Sequence, residues 1–248
     1  MTDFLSRSVE PFCFKQFAVH HERSSMHINT DSVVLGAWAK SDVQEPSRIL
    51  DIGTGCGILA LMMAQRFPGA LIDAVDIDDE SAGEATENAL HSPWADRINV
   101  SRADFRSFVP AAPYDLIISN PPYFIQSMLP ENKRRILARH SHPDSLSLKM
   151  LAEGVSRILA PQGVFAVILP EEGATAFLEV ARSLEKPMFP HRITRVFTRP
   201  GKPALRMLIQ TGNTQKLPVR EDLTIYENHE NQYSAQYVRL VKDFYLWA

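Results

Sequence analysis

Residues 48–67 join a strand to a helix through a turn in which every second residue is glycine. Arg48–Ile52 (RILDI) is short and apolar at most positions, the pattern of a strand buried on both faces. Ile58–Phe67 (ILALMMAQRF) has the length of a helix and is stopped by Pro68 and Gly69. Between them stands Gly53-Thr54-Gly55-Cys56-Gly57, introduced by Asp51 and Ile52. Glycines in such a turn permit positive φ and let a ligand approach the backbone, while the helix start offers N–H groups. Alone, the loop is equally a ligand cradle or a tight connection, so the rest of the chain decides.

Further strands are expected at Leu71–Asp76, Ile98–Arg102, Tyr114–Ser119, Val164–Leu169, Ile193–Thr198 and Leu205–Thr211. Helices are expected at Glu80–His91, Asp144–Leu159 and Glu171–Leu184, and Pro161-Gln162-Gly163 reads as a turn. Strands alternating with helices predict an α/β fold, doubly wound around a mostly parallel sheet of seven strands. Only Arg199–Pro203 separates the last two strands, too little for a parallel crossover, so the last strand should be antiparallel. The expected organisation is one domain, with a core at 46–211, an N-terminal extension at 1–45 and a C-terminal tail at 212–248. A hydrophobic fraction of 45% over 248 residues is enough for a real core. No apolar run approaches the roughly 18 residues of a membrane helix. Asp3, Arg7, Glu10 and Lys15 leave no secretory segment at the start. Two cysteines, Cys13 and Cys56, without CxxC spacing argue against a disulfide scaffold or a cysteine zinc site and point to the cytoplasm.

Asp76 ends the second core strand, where a carboxylate can accept both hydroxyls of a ribose at the switch point of an open α/β sheet. The bland alternative is a solvated acid, since Asp78, Asp79 and Glu80 follow. The dinucleotide fingerprint G-x-G-x-x-G fails because Ile58 stands where its third glycine belongs. The acid-led G-x-G-x-G resembles the class I S-adenosylmethionine (SAM) methyltransferases, whose cofactor has no pyrophosphate to cradle. The resemblance implies a doubly wound Rossmann-like fold with SAM as cofactor. Asp51 would then suit a ligand carrying a sulfonium and an ammonium. Asp104 would take the adenine amine, with Phe105 and Ile77 packing the ring. Cys56 reads as a small packing residue, with a methyl-carrying cysteine left open.

Asn120-Pro121-Pro122-Tyr123 follows the strand Tyr114–Ser119 directly. An exocyclic or amide nitrogen is a poor nucleophile because its lone pair is delocalised. Two acceptors, one for each N–H, favour the tetrahedral geometry it needs to attack a methyl group. Asn120 can supply a side-chain carbonyl and Pro121 a backbone carbonyl, both pre-aimed by the restricted prolines. Tyr123 offers a flat face on which a planar target can stack. The same tetrapeptide also fits a strand ended by proline and followed by a core tyrosine.

The net charge is −3, but it is segregated along the chain. Asp73–Asp96 holds eight acids and no Lys or Arg, whereas Lys186–Arg220 holds eight Lys or Arg and no acid. A second basic group is Lys133, Arg134, Arg135 and Arg139. These clusters are either ordinary solvated faces or a surface for a polyanion. On the second reading Lys133, Arg134, Arg135, Arg139, Arg195, Arg199 and Lys202 are the RNA-binding candidates.

Loop and tetrapeptide together resemble the SAM-dependent amino-methyltransferases of nucleic acids and of release-factor glutamine, over about residues 30–211. Within them the chain is most similar to the bacterial tRNA1(Val) (adenine(37)-N6)-methyltransferases. The supporting stretches are Phe14-Lys15-Gln16-Phe17, Met26–Asp31 leading into Val34–Trp38, Asn120–Phe124 and Arg139-His140. The resemblance implies tRNA as partner and an N-terminal segment, here Thr30 and Asp31, closing the methionine end of the cofactor pocket. Thr30 or Asp31 serves equally as a helix N-cap. Methyl transfer needs no metal, and His20, His21, His27, His140 and His142 lack the partners of a metal site. The rival readings are a glutamine-N5 methyltransferase, a DNA amino-methyltransferase and a non-catalytic binding module. The first carries a helical N-terminal domain for which 45 residues leave little room.

Overall fold

A computed structural model describes residues 10–24, 27–121, 146–228 and 232–248. The N-terminal part opens with an antiparallel hairpin of β1 (Phe12–Cys13) and β2 (Ala18–Val19), followed by α1 (Thr30–Trp38). The core follows as β3 (Arg48–Ile52), α2 (Ile58–Arg66), β4 (Leu71–Asp76), α3 (Asp79–Leu90), β5 (Ile98–Arg102) and β6 (Tyr114–Ser119). The second half comprises α4 (Leu148–Ile158), β7 (Leu159–Leu169), α5 (Glu171–Ser183), β8 (Phe189–Phe197), β9 (Ala204–Gly212), β10 (Val219–Thr224) and α6 (Ala235–Val241).

The main sheet has the order β10-β8-β9-β7-β6-β3-β4-β5. Among the described strands of this sheet only β9 runs antiparallel to its neighbours, as the short loop before it requires. Among the described residues the sheet thus holds eight strands, not seven. The extra one, β10, comes from the tail and pairs in parallel with β8. Its sequence, VREDLT, is charged because it is an edge strand: Glu221 and Asp222 meet Arg192 and Arg195 of β8.

Helices cover both faces. Leu35, Leu61 and Val241, from α1, α2 and α6, pack on one side, and Val155 and Phe177, from α4 and α5, on the other. Local chemistry sets the helix starts. The Asp78 carboxylate accepts from Ser81 N–H at 2.8 Å, and Asp79 and Glu80 suit the positive end of α3. The helix expected from Asp144 begins at Leu148 behind Ser147, whose Oγ accepts from Met150 N–H, and Asp144 lies outside the described residues.

Pro161-Gln162-Gly163 is not a turn but part of β7. The register jumps from Tyr114↔Leu159 to Leu116↔Val164, so the three residues bulge out of the ladder, where proline loses no hydrogen bond. Gly163 is required there because a Cβ would lie 2.6 Å from the Tyr114 carbonyl oxygen.

Gly154 of α4 is a second close approach, since a Cβ there would lie 2.5 Å from Cε1 of Phe105, itself buried. Alanine adds helix propensity worth about 1 kcal/mol, but overpacking costs about 1–3 kcal/mol. Gly154→Ala should therefore lower Tm by up to roughly 8 °C in thermal denaturation. A higher Tm would show that the Phe105 ring is not held.

Candidate active site

The parallel strands end along one edge of the sheet, and their register brings three loops to the same level. Ile52 pairs with Val75 on one side and Ser119 on the other, so the chain emerges together at Gly53, Asp76 and Asn120. The chain winds outward from β3 through β4 to β5, then returns to β6 on the other side of β3. That reversal is the switch point at which open α/β sheets bind ligands.

The loop after β3 turns through left-handed glycines, Gly53, Gly55 and Gly57, with φ of 68°, 56° and 85°. Gly53 and Thr54 N–H both donate to the Val75 carbonyl, at 2.9 and 3.1 Å, which ties the loop to β4. The fully buried Asp51 carboxylate sits beneath it. Its Oδ2 accepts from Thr54 Oγ1 at 2.6 Å and from Ala60 N–H at 3.2 Å, whereas Oδ1 has no hydrogen-bond partner among the described residues. Burial pushes this carboxyl up to about 7 against those two bonds. An orphaned buried oxygen under a glycine loop fits a cationic ligand, as SAM is. Cys56 is buried, and burial pushes its thiol up to about 12, which favours a packing role over a nucleophilic one.

Asp76 lies at the end of β4, half-buried. Its Oδ2 accepts from Gly55 N–H at 2.9 Å and its Oδ1 from Asp78 N–H at 3.0 Å. Burial raises its carboxyl, partly offset by those bonds. Ile77 is 43% exposed beside it. Asp104 holds Arg106 through both oxygens, and the guanidinium lowers its carboxyl. Phe105 is buried in the core beneath α4 rather than open to the rim.

Asn120 and Pro121 emerge from β6, both buried. Asn120 Nδ2 donates to Ser32 Oγ at 2.9 Å, and Ser119 Oγ donates to the Ile52 carbonyl. Ser32 belongs to α1, so the N-terminal part supports the tetrapeptide. The cap of α1 is Asn29, whose side-chain Oδ1 accepts from Ser32 N–H, and not Thr30 or Asp31. Asp31 instead pairs with Arg206 of β9 at 2.7 Å. Ser32, Asn29 and Arg206 were not singled out from the sequence; polar residues before and within an apolar helix were the signal for the first two, and Arg206 of β9 had only its place in a basic stretch. Pro122 and Tyr123 lie outside the described residues.

Of the basic candidates, Lys133, Arg134, Arg135 and Arg139 also lie outside the described residues. Arg195 is paired with Asp222 through two bonds of 2.9 and 2.8 Å. Arg199 lies over the Tyr226 ring and donates to the Glu227 carbonyl. Lys202 is exposed in the turn between β8 and β9. That turn follows Phe197 at the same edge as the site. His21 and His27 face each other with Nδ1 atoms 3.2 Å apart, and no group of three or more metal ligands occurs among the described residues.

This fold and this edge define a SAM-dependent methyltransferase. Residues 29–140 match the family model described as methyltransferase small domain. A predicted O-methyltransferase of Agrobacterium tumefaciens shares the fold with a TM-score of 0.67, at 19% identity, covering 86% of this chain and 96% of that one. A protein of Listeria monocytogenes assigned to the class I SAM-dependent methyltransferases superposes with a TM-score of 0.56, at 18% identity, over 81% of this chain and 65% of that one. Among curated relatives, a Phocaeicola vulgatus protein is 44% identical, and one from Bacteroides fragilis is 41% identical; each match covers 95% of this chain and 97% of the relative. Both are tRNA1(Val) (adenine(37)-N6)-methyltransferases, and the chain belongs to that family. No helix among the described residues is long and apolar enough to cross a membrane.

The raised Asp51 carboxyl makes a two-sided prediction. Between about pH 4 and 7 the folded chain retains a proton that the unfolded chain has lost, so this group lowers stability as pH rises through that window. Asp51→Asn should therefore gain Tm relative to wild type as pH rises from 4 to 8, yet bind SAM more weakly by calorimetry throughout. A mutant whose Tm difference ignores pH would show that Asp51 is not a strained buried acid.

Proposed function

We propose that this chain transfers the methyl group of SAM to N6 of an adenine in tRNA, adenine 37 beside the anticodon of tRNA1(Val). The observation that carries the reading is Asn120: buried, oriented by Ser32, and level with the glycine loop at the switch point. The relatives' names supply the substrate, and SAM, when bound, supplies a sulfonium-activated methyl group.

In this reading Asp51 Oδ1 and the backbone of Gly53, Thr54, Gly55, Cys56 and Gly57 hold the cationic end of the cofactor. Asp76 takes the ribose hydroxyls, Asp104 reaches the adenine amine, and Ile77 offers the exposed apolar contact that the buried Phe105 does not. Thr30 and Asp31, at the start of α1, border the same edge, with Asp31 held by Arg206. The Asn120 side-chain carbonyl and the Pro121 backbone carbonyl accept the two N–H groups of the target amine. Pro122 restricts the backbone there, and Tyr123 stacks the base. A target base must be flipped or unpaired to reach that position, and an anticodon loop is cheaper to open than a duplex. Such a reaction takes place in the cytoplasm, with unmodified tRNA.

Offering labelled SAM with total tRNA, rRNA, DNA and release factor tests the reading directly. Label on adenine of tRNA is expected, and label on release factor would replace it with the glutamine reading. Asn120→Ala should lower kcat by about 10²–10³-fold, the scale for one preorganised polar contact, with SAM affinity changed much less. Near-normal turnover would reject the acceptor role.

Binding of unmodified tRNA across a salt series tests the basic candidates. If about four phosphates are neutralised, log K should fall against log salt with a slope of roughly −3 to −4. Lys133→Ala, Arg134→Ala and Arg135→Ala together should flatten the slope with SAM affinity intact. Arg199→Ala with Lys202→Ala should act similarly, whereas Arg195→Ala should matter less because Asp222 already neutralises it. A flat wild-type slope would remove tRNA from the reading.

A further inference from the structure

Residues 20–24 form neither helix nor strand, yet their backbone is held by two buried side chains of α3, one turn apart. Glu84 Oε1 accepts from Glu22 and Arg23 N–H at 2.8 and 3.0 Å, and its Oε2 accepts from Ser24 N–H at 2.9 Å. Asn88 Oδ1 accepts from His20 N–H at 2.9 Å, and its Nδ2 donates both to the His20 carbonyl at 2.7 Å and to the Cys56 carbonyl at 2.8 Å. Glu84 and Asn88 are 1% and 2% exposed.

A buried carboxylate is costly unless its lone pairs are used, and here they are used on backbone that no secondary structure serves. Asn88 does more than satisfy the segment. One side-chain amide joins it to Cys56, inside the glycine loop. Downstream the same segment leads to Asn29, which caps α1, and then to Ser32, which orients Asn120. The glycine loop and Asn120 are therefore each bonded to the part of the chain before the first core strand, the one through His20 and the other through Ser32.

We infer that Glu84 and Asn88 are positioning residues, which seat residues 20–24 against the glycine loop so that cofactor binding and the seating of this segment are coupled. The inference rests on the SAM reading of the loop. Coupling is reciprocal: if the seated segment favours the cofactor, the cofactor must hold the segment seated by the same factor.

Trypsin cleavage between Arg23 and Ser24 reports the seating, because the N–H of that bond is the one donated to Glu84 Oε2. In wild type, SAM should slow this cleavage. Glu84→Ala and Asn88→Ala should speed it, weaken SAM binding in calorimetry by about 10-fold, and raise KM for SAM with kcat at saturation changed less than about 3-fold. Glu84→Gln, which retains an acceptor for Glu22 and Arg23, should fall between wild type and alanine, and it carries the test if Glu84→Ala does not fold. Unchanged SAM affinity in folded Glu84→Ala and Asn88→Ala, or no slowing of cleavage in a wild type that binds SAM, overturns the inference alone. A wild type that binds no SAM overturns the cofactor reading, and the inference with it.

Discussion

The carboxylate of Asp51 is the point on which the site is built. It is fully buried at the end of β3 and draws in the two elements that follow. Thr54 in the loop and Ala60 in the first turn of α2 both donate to the same oxygen. Strand end, glycine loop and helix start are thereby fixed by one acid. The second oxygen, without a partner among the described residues, makes the arrangement costly, as the raised carboxyl shows. A cation at the loop relieves that cost, which a neutral residue at position 51 would never incur.

Register then spreads this position sideways. Val75, Ile52 and Ser119 lie side by side, so Asp76, the glycine loop and Asn120 start from one line. Side-chain amides finish what the sheet begins. Asn120 is oriented from α1 by Ser32, and Asn88 ties the Cys56 carbonyl to His20. Both bonds reach into residues before the first core strand. What reads along the sequence as an extension is thus a wall of the site, and its helix is buried along most of its length.

The core was legible because its signals are local. Apolar strands β3 to β6 fall between the limits that their sequence shows, and the glycine loop and its acids stand out at a glance. What was not legible depends on contacts far apart in sequence. β10 looks like a charged tail because its Glu221 and Asp222 are chosen by the arginines of β8. Pro161-Gln162-Gly163 has turn residues because a bulge needs them too. Phe105 follows Asp104 in sequence, but the bare face of Gly154 draws its ring into the core. Glu84 and Asn88 sit in an ordinary polar helix, and nothing in their spacing says that the backbone of residues 20–24 lies on them.

The same distinction governs charge. The stretch from Lys186 to Arg220 is free of acids along the chain, but β10 lays Glu221 and Asp222 directly against it. Arg192 and Arg195 become ion pairs, which leave little net field for a polyanion. At this end of the sheet the turn carrying Arg199 and Lys202 is what remains on the side of the site. Lys133, Arg134, Arg135 and Arg139 lie outside the described residues, in the stretch of sequence between Pro121 and Leu146. In the reading proposed, the longer basic stretch thus offers a polyanion less than its sequence suggests, because two of its arginines are already paired with the acids of β10.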